Sequence, residues 1–271
     1  MKQVTVFVGS ARKGGATWRA ASGFLESLQS YGDIHGEIVF LSDYDVGVCR
    51  GCKSCTDRGE ERCPLKDDRD ALIGKMMASD GVVFASPNYS FQVSAIMKTF
   101  LDRIAFLFHR PRFHGRAFTS IVVQGIGGGG RIVKYLQFVG GGLGFNVVKG
   151  SCIRTLEPMS ADSLETMGRK LARQGRRFHD RLLRPSCPAP SLLGLMIFRM
   201  TRTSYRLMLG EDTRDHAYFR DKGWFEADFY YPTRLGPFRK AAGAIFDWLA
   251  ARIARRWNTR PVDGSAAAQR G

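Results

Sequence analysis

The chain has 271 residues, 44% of them hydrophobic and 24% charged, and 41 Lys/Arg against 25 Asp/Glu leave a net charge of +16. That length supports one sizeable core with an appendage, or two small domains. No apolar run approaches the ~20 residues of a membrane span, and no familiar nucleic-acid motif is present.

Val4–Val8 is a β-branched and aromatic run that reads as a buried parallel strand. It breaks into Gly9–Thr17, and a helical pattern follows with Trp18, Ala21, Leu25 and Leu28 on one face. A strand passing through a glycine-rich turn into a helix N-terminus points backbone N–H groups and a positive dipole end at one place, which suits a phosphate. Ser10 and Thr17 add hydroxyls, Arg12 adds charge, and Gly14, Gly15 and Ala16 leave the backbone accessible. No Lys-Ser/Thr pair follows the last glycine, so the turn is not a Walker loop. The alternative is a strand–helix turn without a ligand.

Glu37–Leu41 reads as a second strand. Cys49, Cys52, Cys55 and Cys63 then follow with C-x2-C-x2-C-x7-C spacing, closed by Pro64. Two-residue gaps let one turn of chain direct three thiolates at a common centre, as an iron–sulfur cluster requires. Structural zinc and an unmetallated loop are the alternatives. A helix is predicted from Asp67 or Asp68 through Leu72, Met76 and Met77, then a third strand, Gly81–Ala85. Ser86-Pro87-Asn88-Tyr89-Ser90 ends that strand, and a helix over Val93–Phe106 follows. Ala117–Val123 is the fourth strand and leads into the glycine run 125–130. A helix near Arg131–Phe138, a strand at Asn146–Lys149 and a long helix over Ser163–Leu183 complete the alternation. Five strands alternating with helices specify a doubly wound parallel sheet. If the strand order is flavodoxin-like, the turns after strands one, three and four share one crevice.

The segment Ser86–Ser90, with Ser94-Ala95 and Lys98-Thr99-Phe100-Leu101-Asp102-Arg103, is similar to a signature of the NADPH-dependent FMN reductase and iron–sulfur flavoprotein families, and Gly9–Thr17 resembles their phosphate loop. The resemblance covers residues 1–184. It implies FMN held by Ser10, Arg12, Gly14, Gly15, Ala16 and Thr17 at the phosphate, and by Pro87, Asn88, Tyr89, Ser90, Gly127 and Gly128 around the ring. It also implies a [4Fe–4S] cluster on Cys49, Cys52, Cys55 and Cys63, and NAD(P)H as electron donor. The family loop often carries Asn where this chain has Gly14 and Ala16, which shifts phosphate binding onto the backbone. The run Gly125–Gly130 also fits G-x-G-x-x-G, but no acid stands about 20 residues on to bind a ribose.

Residues 184–190 read as a linker. Ser191–Trp257 is mostly amphipathic helix, interrupted by the aromatic and acidic stretch Tyr218–Tyr231, and Thr259–Gly271 is expected to be disordered. Most of the positive excess lies beyond residue 160. The terminal helix (about Pro237–Trp257, with Phe238, Ile245, Phe246, Trp248, Leu249, Ile253 and Trp257) is expected to cover a core or dimer face in preference to an anionic membrane. The expected domains are therefore 1–184, with the cysteine insertion 49–63, and a basic helical extension, 185–271. The first residues enter a strand directly, so the expected compartment is cytoplasmic. There six cysteines are reduced, metal-bound or catalytic, not disulfide-paired. The expected protein is an FMN-dependent NAD(P)H oxidoreductase or electron-transfer flavoprotein, dimeric, served by a redox partner such as ferredoxin. The alternative is a non-enzymatic cysteine–metal module that binds a partner through its basic C-terminus.

Overall fold

Alternate residues of the first strand feed two different cores. Val4, Val6 and Val8 point to one face of the sheet and Phe7 to the other, all fully buried, as a strand covered on both sides requires. A computed structural model of the protein describes residues 1–184 and 187–258. They form two units: Met1–Cys52 with Cys63–Cys187, and Lys53–Arg62 with the residues from Pro188 on.

In chain order the elements are β1 (Lys2–Val8), α1 (Ala16–Gln29), β2 (Ile34–Phe40), a short α2 (Ser54–Asp57), α3 (Arg69–Ala78), β3 (Gly81–Tyr89), β4 (Gln92–Val93) and α4 (Ala95–Arg103). They continue with β5 (Ala117–Gln124), α5 (Gly129–Gly142), β6 (Asn146–Val147), β7 (Ser151–Arg154), α6 (Ala161–Leu182), α7 (Leu192–Met208), α8 (Arg214–Asp221) and α9 (Pro237–Asn258). The sheet order is β2-β1-β3-β5-β6, with β7 also on β5, and every one of these pairings is parallel. This is the doubly wound, flavodoxin-like arrangement that the alternation predicts.

One face of the sheet is aliphatic. Val4, Val6, Val8, Val83, Ile121 and Val123 pack with Phe24 and Leu28 of α1 and Leu171 and Phe178 of α6. The other face is a train of phenylalanines, with centroids 5.9 Å apart for Phe7–Phe84, 5.8 Å for Phe84–Phe100 and 5.0 Å for Phe84–Phe118. Edge-to-face rings at this spacing add packing energy beyond their burial.

Three expectations about single elements are corrected. The predicted fifth strand is two short pieces, because the chain at Gly150 runs so close to β5 that a Cβ there would sit 2.4 Å from the Ser120 carbonyl oxygen. The predicted helix from Val93 begins at Ala95, because Val93 pairs back on Asn88 in a hairpin. Met77, placed on the buried face of α3, is exposed. The cysteine insertion, read as part of the first domain, is divided, with residues 53–62 in the second unit. The expectation for Thr259–Gly271 lies outside the described residues.

His114 gives this unit a pH dependence. Burial outweighs hydrogen bonding to Gly144 and Pro111 and pushes the imidazole down to about 4. The unfolded chain protonates near 6.5 and the folded one does not. Stability is therefore complete above that value and declines as pH falls from about 6.5 to about 4. Denaturant midpoints should fall across this window, and His114→Gln should flatten the decline.

Within the second unit, Leu195, Phe198, Phe219, Trp224, Phe225, Phe229 and Leu235 form a separate core. Asp247 of α9 ties it to α7, accepting from Arg199 at 3.0 Å, Arg202 at 2.7 Å and the Thr203 hydroxyl at 2.7 Å.

Candidate flavin site

The turns at the carboxyl edge of the sheet are fastened to one another. After β1, the Gly9 N–H donates to Ala85 of β3 at 2.8 Å, and the Gly9 carbonyl accepts from the Ser94 hydroxyl at 2.5 Å. Ser94 is also the N-cap of α4, accepting from the Met97 N–H at 3.2 Å. A Cβ on Gly9 would lie 2.7 Å from Met97 Cβ and 2.9 Å from Ser94 Oγ, so only glycine lets these turns close. Gly9→Ala should cost about 2 kcal/mol, the range for an overpacked core, read as a lowered thermal midpoint.

The first turn holds an anion. Ser10 is buried, and its hydroxyl accepts the Arg12 N–H at 3.3 Å. Gly15 is the residue before α1 and Thr17 lies buried in its first turn, while no atom lies within 4 Å of where a Cβ on Gly14 would stand. The Ala16 N–H, at the positive end of α1, donates to the carboxylate of Glu157 at 3.1 Å, and the Arg12 guanidinium pairs with the same carboxylate. Glu157, in the chain after β7, thus sets a carboxylate at the N-terminus of α1, where the helix dipole favours negative charge.

The second wall is the β3–β4 hairpin. Pro87 is buried in β3 opposite Val123, and Tyr89 is exposed at the strand end. Ser90 and Phe91 turn the chain with φ of 49° and 62°, left-handed values that cost non-glycine residues free energy and that cluster at ligand sites. Phe91 remains 70% exposed. Its ring lies on Gly128, where φ is +86° and a Cβ would come within 2.4 Å of the ring. Asn88 Nδ2 donates to the Gly127 carbonyl at 2.8 Å, which binds hairpin to glycine loop and fixes the amide's orientation. Asn88 Oδ1 is then buried and finds no hydrogen-bond partner among the described residues. A buried acceptor in this state lacks the partner that such groups normally have. The Gly129 N–H at the start of α5 donates to Gln124 at 2.6 Å.

All the residues predicted for the flavin lie on these linked turns. Missing from that prediction were Glu157, which no local pattern marks, and Phe91, whose signal was an exposed aromatic between two polar residues.

The cysteines are a different matter. Cys49 and Cys52 are exposed, Cys55 is half-buried, Cys63 is buried, and no disulfide joins them. Among the described residues, no group of three or more Cys, His, Asp or Glu is placed to hold a metal ion. As arranged, the four thiols do not fit a cluster. Cys63 does have a prepared environment: Arg103 donates to its sulfur at 3.2 Å and to Asp67 at 2.6 Å. Burial raises the Cys63 thiol, but the Arg103 and Leu65 hydrogen bonds and the charges of Arg103 and Arg69 outweigh it, holding the thiol below its usual range.

A wound parallel sheet whose switch-point turns seat a carboxylate on a helix N-terminus and leave a buried acceptor unpaired among the described residues has the flavodoxin-like arrangement. Residues 2–154 match the NADPH-dependent FMN reductase family, and the chain belongs to that family. It is accordingly a flavin-dependent NAD(P)H oxidoreductase. An iron-sulfur flavoprotein of Archaeoglobus fulgidus is 36% identical over 160 residues, 55% of this chain and 71% of that one. One from Methanosarcina thermophila is 32% identical over 105 residues, 39% of this chain and 53% of its own. Against several such relatives the chain spans only about half their length. In fold it is similar to an NAD(P)H:quinone oxidoreductase of Methanothermobacter marburgensis, with TM-score 0.52, 16% identity and coverage of 65% of this chain and 96% of that one. It is also similar to RosB, with TM-score 0.54, 12% identity and coverage of 88% and 92%.

Proposed function

We propose that the linked turns hold FMN, with its phosphate on the loop 10–17 and its ring between the β3–β4 hairpin and the glycine loop 125–128. The observation that carries this reading is the Glu157 carboxylate on the Ala16 N–H and Arg12, because a loop that binds one anion is built to bind another. The orphaned Asn88 Oδ1 supports it from the ring side.

Bound there, FMN would supply hydride chemistry with NAD(P)H. The chain's own residues bind and orient. Arg12 and the α1 N-terminus neutralise the phosphate, Ser10 and Thr17 offer hydroxyls, Asn88 accepts from the ring, and Phe91 and Tyr89 shield it from water.

The finer reading places iron and sulfide on Cys49, Cys52, Cys55 and Cys63. The thiolate spacing and the relatives named iron-sulfur flavoproteins support it, while the described arrangement of the thiols does not, so no electron-transfer step is assigned to a cluster. The homodimer and the ferredoxin-like partner belong to this same proposal.

Anaerobic purification followed by flavin, iron and sulfide analysis tests both readings. About one FMN per chain, bleached by NADPH or NADH, is the expected result. A preparation that neither carries nor takes up FMN overturns the flavin reading, and flavin without iron overturns the cluster alone.

A further inference from the structure

The terminal helix meets its own unit through its smallest residues. On the inner side of α9, Gly243, Ala250 and Ala254 are buried, and a Cβ on Gly243 would come within 3.1 Å of Arg199 Nε. Small residues let α9 lie close against α7. Phe246 turns partly inward to the aromatic core. The rest of the apolar stripe that the sequence placed on a core or dimer face points outward: Phe238 is 72% exposed, Ile245 56%, Trp248 54% and Ile253 44%. At helical spacing these share one side of the 22-residue helix with Leu249.

Charge decides what such a side can meet. α9 carries Arg239, Lys240, Arg252, Arg255 and Arg256 and a single acid, Asp247. That acid is turned inward and held by Arg199, Arg202 and Thr203. Arg252 lies over the Trp248 ring, 5.5 Å from its centroid. The outward side is therefore apolar with a purely cationic rim, and an aromatic–arginine pair stands in its middle. A two-fold contact centred on this side would bring the Arg252 residues of two copies together, with no acid of α9 between them. No helix among the described residues is long and apolar enough to cross a membrane, so α9 can engage a bilayer only by lying along it.

We propose that the outward side of α9 is a peripheral docking surface for anionic lipid, with α9 in the plane of the headgroups, Ile245, Trp248 and Leu249 reaching the acyl boundary, and Arg252 at the phosphates. Trp and Arg are suited to that depth, one amphipathic and the other able to extend its charge outward. This places the flavin chemistry of the first unit in a protein held at a membrane surface.

The test is co-sedimentation of the full chain with phosphatidylglycerol vesicles and with phosphatidylcholine vesicles, alongside tryptophan emission. The full chain should sediment with phosphatidylglycerol, shift its emission to the blue, and be released by salt. Phosphatidylcholine should retain little of it. The variant I245E/L249E changes only exposed positions, so its circular dichroism should match the parent while binding is lost. R252Q should weaken binding roughly fivefold. Failure to sediment with phosphatidylglycerol at low salt overturns the proposal, as does binding that I245E/L249E leaves unchanged. A lipid-free dimer that dissociates in I245E/L249E overturns it in favour of self-association. FMN content is read separately, so neither result bears on the flavin reading.

Discussion

Glu157→Gln is expected to tighten FMN binding about thirtyfold, or ~2 kcal/mol, while leaving riboflavin affinity unchanged. The carboxylate takes up the Ala16 N–H at 3.1 Å and the Arg12 guanidinium, the two groups that a flavin phosphate needs. FMN must either displace it, giving up that ion pair, or bind beside it against like charge. Each route costs affinity, and the cost is moderated because the Glu157 side chain is 37% exposed. Glutamine retains the size and removes the charge. Riboflavin has no phosphate and should be indifferent to the exchange, so the ratio of the two affinities isolates the effect. Flavin fluorescence quenching measures both. Equal FMN affinities in the two proteins would remove Glu157 from the phosphate seat.

In a preparation that carries iron, Cys52→Ser is expected to abolish it and leave FMN stoichiometry intact. Cys52 is exposed, and serine is nearly isosteric, so the substitution should not disturb folding. Loss of iron then reports loss of a ligand. Cys63 is a poorer probe, since it is buried and accepts from Arg103, and changing it takes one of two acceptors from a buried guanidinium that also pairs with Asp67. Cys187→Ser serves as the control. Burial holds its thiol above the usual range despite the nearby Arg181, as befits a protonated structural thiol, and iron should be retained. Full iron in Cys52→Ser would exclude Cys52 as a ligand.

The parallel sheet was legible because β1, β3 and β5 are buried on both faces and read as largely apolar runs interrupted by Thr and Ser. The phosphate turn was legible because strand, glycines and helix are contiguous. The β3–β4 hairpin was not. Pro87 ordinarily argues against a strand, and Ser90-Phe91 lacks the Asn-Gly pattern that announces a two-residue turn. Glu157 was invisible for another reason: it reaches Ala16 across 141 positions of chain, and only the order of the strands brings it there. The stripe of α9 was recognised as apolar and assigned to a core or dimer face, yet Phe238, Ile245, Trp248 and Ile253 are exposed within the chain, because hydrophobic periodicity records that a face avoids water without naming what covers it.

The ten residues Lys53–Arg62 fold with the C-terminal helices although their neighbours on both sides belong to the sheet. There α2 packs with α8, and Glu60 stands 3.9 Å from Arg214. Cutting the protein at Cys187 to isolate a minimal reductase would therefore strip this loop of the support on which it rests. An iron-free fragment of that kind would be a casualty of the truncation, uninformative about the thiols themselves.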